Sequence, residues 1–108
     1  MDPELMNLAL DLALAWGPDF LQPTQGRLAL LRPELCQDEL DRYDDIARDA
    51  MNTGHSIVQN LALERGLNDP SVPAEAKALV AEQLPWVSSE NLARIVSQGM
   101  YFAWKDGA

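Results

Sequence analysis

Between Cys36 and Leu61 the apolar and small residues recur with a helical beat. Leu40, Tyr43, Ala47, Ala50, Gly54, Ile57 and Leu61 follow one another at alternating steps of three and four. At about 100° per residue they fall within roughly a third of the helix circumference, which is the mark of one buried face. Val58 joins this stripe, and Cys36 joins it as a small core residue if the helix starts early enough. The opposite face carries Asp38, Asp41, Arg42, Asp45, Asp49, Asn52, Ser56 and Gln59. The pattern predicts one long helix over residues 34–65, opened by Pro33-Glu34 and closed by Gly66. Ala47, Ala50 and Gly54 make the middle of its stripe thin, so that another helix can approach closely there or a bulky residue can fill the space.

Prolines and glycines divide the rest of the chain into four more helical stretches. The first covers residues 3–16, with Asp2 placed to cap it and Pro3 in the first turn, where a missing N–H costs nothing. Its polar stripe is only Glu4, Asn7 and Asp11, so it is expected to be buried on more than one side, as a central helix or at a subunit interface. The second runs over 24–32 behind Thr24, the fourth over 73–84 up to Pro85, and the fifth over 89–105. Ser88 is the expected cap of the fifth, with Val87 packing on Leu92 as a hydrophobic staple. Gly99, like Gly54, lies inside an apolar stripe, and the two can let the third and fifth helices cross closely. Composition agrees: 17 Leu and 14 Ala stand against ten Val, Ile and Thr together, a balance that favours helix over strand. The expected fold is all-α, a compact bundle of four to five helices with a long central helix (34–65), forming a single helical domain over 1–108 with short loops and antiparallel neighbours.

Charge then narrows the functions. Seventeen acids against eight bases give a formal net charge of -9. Such a surface argues against nucleic acid and anionic membranes as partners. One cysteine excludes an internal disulfide, and neither a basic leader nor a span of about 20 apolar residues is visible. The expected location is the cytoplasm, and no cofactor is expected.

Three groups of residues are candidates for chemistry or binding. Six acids and two arginines between 38 and 49 leave a local charge of -4. Asp41, Asp45 and Asp49 project in one row that suits a divalent cation. Against this stands the ordinary reading of a solvated face, with Asp38–Arg42, Asp44–Arg48 and Asp45–Arg48 as surface pairs. His55, the only histidine, lies at the flank of the apolar stripe beside Asn52, Ser56 and Gln59, with no acid placed to complete a metal site; it reads as a boundary histidine. The third group is on the fifth helix, where Tyr101 and Trp104 point away from the core stripe on the side that holds Arg94, Ser97, Gln98 and Lys105. Aromatics and arginine are favoured at protein interfaces. The sequence therefore points to a non-enzymatic acidic interaction or regulatory module binding a protein partner through Arg94, Tyr101, Trp104 and Lys105, or associating as a homodimer. Two rival readings are a divalent-metal enzyme or ligand-binding protein using the acidic row, and an immunity or nucleic-acid-mimic protein meeting a basic partner.

Overall fold

A computed structural model describes residues 1–107. They form five α-helices: α1 (Pro3–Ala13), α2 (Gln25–Leu31), α3 (Gln37–Arg65), α4 (Val72–Gln83) and α5 (Ser89–Lys105), with a short 3-10 turn at Gly17–Asp19. No strand occurs among the described residues. The fold is all-α, and the long helix is present. The backbone divides into two compact units, Met1–Met51 and a second that begins at Asn52, so α3 gives its first half to one and its second half to the other.

In the first unit, α1 and α2 run antiparallel, and polar bonds at both ends fix their pairing. Arg32 at the end of α2 reaches Glu4 at the start of α1 at 3.2 Å. Arg27 near the start of α2 donates to the Leu12 carbonyl at 2.8 Å. Asp2 caps α1 by accepting from the Glu4 amide, and its own N–H donates to the Tyr43 hydroxyl on α3. The predicted first helix is too long at its C-terminus. The α-helix ends at Ala13, and the chain turns through Gly17, at φ +87, before the 3-10 turn reaches Asp19. Leu14 still packs fully buried beyond the last turn.

The start of α3 also corrects the sequence reading. The helix begins at Gln37, not at 34, and Cys36 stands just outside it, exposed rather than in the core. Glu39 reaches back to accept from the Cys36 amide at 3.1 Å, which is the acidic half of a capping box. That bond holds the Glu39 carboxyl below the usual carboxylate range.

The second unit is built from the rest of α3 with α4 and α5. Gly66, at φ +89, ends α3 by taking the left-handed conformation that only glycine adopts freely. Arg65 then meets Glu75 across the turn with both guanidinium nitrogens. Val58, Leu61, Val72, Ala76 and Val96 form the core, with Ile57, Leu79 and Met100 packed against it.

The two predicted glycines make the α3–α5 contact. A Cβ on Gly54 would sit inside the Ile95 side chain, and a Cβ on Gly99 would lie 2.8–3.0 Å from Val58. Each helix thus offers a glycine to a β-branched residue of the other. Because 54 pairs with 95 and 58 with 99, the two helices pass in the same sense, one turn of contact on each. Ser88 caps α5 by accepting from the Asn91 amide at 3.2 Å, as its position predicts.

Candidate functional site

The last helix owes its exposed face to how firmly the other face is held. Leu92, Ile95, Val96, Gly99 and Ala103 are buried, with Asn91 and Gln98. One turn of side chains outward, the face is set by helical spacing: Glu90, Arg94, Ser97, Tyr101 and Trp104 recur at steps of four and three. Tyr101 is 45% exposed and Trp104 67%. Their rings are 6.1 Å apart, and Tyr101 also meets Phe102 edge-on at 5.5 Å. Lys105 is exposed beside them and Arg94 is half-buried. The four residues named from sequence therefore lie on one side of one helix, although Arg94 stands two turns from Tyr101.

Next to this face the α4–α5 interface opens into a shallow groove of about 470 Å³. Pro73, Ala74 and Lys77 of α4 and Ala93, Val96 and Met100 of α5 line it, with Ser97 at the rim shared with the exposed face. Its lining is almost wholly apolar. Lys77 is the one cation of that lining, and it makes no ion pair among the described residues. Sequence reading missed this groove because it lies between two helices whose stripes were assigned to the core one at a time.

His55 is half-buried, as its place on the wheel predicts, and is tied into the α3–α5 contact. Its Nε2 lies 3.1 Å from the Oε1 of Gln98, which is only 2% exposed rather than on the outer face where its spacing placed it, and its ring meets Phe102 edge-on at 5.4 Å. Desolvation pushes the imidazole pKa down, and the bond to Gln98 offsets only part of that. At neutral pH the ring is therefore neutral, and it packs as a polar member of the interface.

The acidic segment of α3 separates into two kinds of carboxylate. Asp44 is not surface decoration: it is 5% exposed and accepts from both the amide (2.9 Å) and the hydroxyl (2.8 Å) of Thr24, with Arg48 at 3.0 Å on its other oxygen. Burial raises its pKa, and the Thr24 and Arg48 bonds outweigh burial, leaving the carboxyl below its ordinary value. Thr24 does not cap α2 with its side chain: its backbone is already helical (φ -92, ψ -13) rather than extended as a capping residue requires, and its hydroxyl proton goes to Asp44. Asp41, Asp45 and Asp49 are exposed. Asp41 accepts from the side-chain amides of Gln25 and Gln37. Of the three predicted arginine pairs only Asp44–Arg48 forms among the described residues. No three His, Cys, Asp or Glu side chains among them come together in a group that could hold a metal ion.

The first unit adds exposed apolar side chains that the sequence reading did not single out. Trp16 stacks on Phe20 at 5.4 Å while remaining 54% exposed, and Leu21, at φ +67, stands out in the following loop. Leu30 and Leu31 on α2 are exposed as well. The apolar residues of α1 behave differently: Leu5, Ala9, Leu10 and Ala13 are buried within the chain. No helix among the described residues is long and apolar enough to cross a membrane. No protein-family model, curated protein or solved structure matches this chain.

Proposed function

We propose that the protein is a non-enzymatic interaction module that binds a protein partner through the outer face of α5. The observation that carries this reading is the exposed Tyr101–Trp104 pair on a helix whose inner face is locked by Gly99 against Val58. Large aromatics held rigid lose little conformational entropy when covered, and they desolvate a wide apolar area, which is why they dominate binding energy at interfaces. Arg94 and Lys105 at the edges add orientation by charge rather than bulk affinity. The test is capture of partners by the wild type and by Tyr101→Ala/Trp104→Ala, with circular dichroism showing both equally helical. A partner held by wild type and lost from the variant supports the reading, and equal retention by both removes the α5 face as the site.

Charge distribution favours a second reading, an acidic module that meets a basic partner in the manner of an immunity or nucleic-acid-mimic protein. Residues 1–51 hold 11 of the 17 acids with four arginines, a net of -7, so the acidity is concentrated in the first unit. Binding by that surface falls steeply as salt rises, whereas binding by the aromatic face of α5 changes little. A salt titration of the captured complex separates them.

A further inference from the structure

We propose that the outer face of α5 docks a second copy of this chain, the two α5 helices lying antiparallel about a twofold axis at the level of Ser97 and Gln98. This rests on the reading of that face as an interaction surface and assigns its occupant. The face is polarised along its length. Glu90 stands at one end, Lys105 at the other, and neither makes an ion pair among the described residues. Parallel copies would set Glu90 against Glu90 and Lys105 against Lys105. Antiparallel copies set Glu90 of each against Lys105 of the other. The same register, without adjustment, brings Arg94 opposite Tyr101, a guanidinium over an aromatic ring, and leaves the small Ser97 as the exposed residue at the axis, Gln98 being buried on the inner side. Two complementary pairings and a thin centre follow from a single choice of register. Around a twofold axis each pairing occurs twice.

The groove supplies the remaining contact. Helical side chains lean toward their own N-terminus, so Trp104 leans toward the axis. In an antiparallel pair that carries its indole from the level of residue 91 in the second copy toward Ala93, which lines the groove. An alanine there leaves room for the ring. Lys77 on the far wall has no ion-pair partner among the described residues and is placed to lie against the indole face. The exposed tryptophan and the apolar groove with its one cation then answer each other across the axis. Ala93 and Ser97 also let the two backbones approach to the lower end of the usual interhelical spacing, about 8 Å.

Analytical ultracentrifugation of the whole chain from micromolar to millimolar concentration tests this. The expected result is a monomer of 12.0 kDa passing to a species of twice that mass. Trp104→Ala weakens the dimer by about tenfold or more, as loss of an aromatic seated in an apolar pocket does. Glu90→Lys and Lys105→Glu each set like charges together at both symmetric contacts and weaken it by about tenfold. The double variant Glu90→Lys/Lys105→Glu restores dimerisation, because only the order of the pair is reversed. A wild type that stays monomeric throughout overturns the proposal. So does a dimer indifferent to Trp104→Ala, or one that the double charge reversal fails to restore. A monomeric wild type that still loses a foreign partner through Tyr101→Ala/Trp104→Ala sinks the self-docking alone. Monomer together with no such partner sinks the underlying reading as well.

Discussion

Replacing Gly54 by alanine adds a single methyl group and turns the α3–α5 crossing into a measurable quantity. That methyl would lie far inside van der Waals contact with the Ile95 Cγ2. Cγ2 sits on a branched Cβ, so it cannot swing aside as the tip of a long chain does; only a χ1 change or a shift of α5 relieves the overlap. Overpacking of this kind costs about 1–3 kcal/mol. Alanine in place of glycine within a helix returns about 1 kcal/mol of propensity. The overlap is with the root of a buried side chain, so the upper part of the range applies, and Gly54→Ala is expected to lose about 1–2 kcal/mol net. Ile95→Leu removes the branch at Cβ while keeping the volume, at a cost below about 1.5 kcal/mol by itself. The double variant should therefore be more stable than the two single losses imply, with a coupling of about 1 kcal/mol. Urea unfolding followed by circular dichroism at equal protein concentration gives all four corners of the cycle. A Gly54→Ala protein more stable than wild type by the propensity gain, or a strictly additive cycle, would refute the close crossing.

Other consequences can be read as directly. Asp44→Ala leaves the buried Thr24 amide and hydroxyl without an acceptor and should cost about 2–3 kcal/mol; Asp44→Asn keeps one acceptor oxygen and should cost less than half as much in the same unfolding assay. His55 has a folded pKa below its unfolded value, so the unfolded chain binds the proton first, and stability falls as pH drops through about 6.5 toward the folded value. Unfolding free energies between pH 7 and pH 5 should show this slope in wild type and not in His55→Gln. The Asp44 carboxyl is also lowered, so its contribution is complete above its unfolded pKa and disappears only in stronger acid, as pH falls through its folded value. Cys36 is exposed and should react fully with a thiol reagent in native buffer; labelling that requires denaturant would place it back in the core.

Periodicity was enough to place all five helices, because each buries a stripe and is punctuated by proline, glycine or a capping side chain. Gly54 and Gly99 were legible as a close crossing because a glycine inside an apolar stripe has few other uses. What escaped depends on partners distant in sequence or on irregular backbone. Asp44 reads as one more acid beside Arg48, since the residue that buries it, Thr24, is 20 positions away. Cys36 lies on the extension of the stripe, and only the return of Glu39 to its amide shows that it precedes the helix. The end of α1 is hidden because Leu14, Ala15 and Trp16 continue a helical composition while the backbone departs. On α5, spacing grouped Arg94, Tyr101, Trp104 and Lys105 correctly, yet the groove beside them needed the position of α4, which no single-helix pattern contains.

The paired glycines also bear on how the second unit folds. Glycine weakens an isolated helix by about 1 kcal/mol, and here it interrupts α3 and α5 at the points where each meets the other. Neither segment is then a strong helix alone. The contact that compensates them joins positions 41 apart in sequence, 54 with 95 and 58 with 99, and it cannot form until α4 has brought α5 back alongside α3. Helix completion and docking are thereby made parts of one event. Short peptides covering α3 or α5 should be only partly helical, and the helicity of residues 52 onward should be lost in a single cooperative step rather than helix by helix.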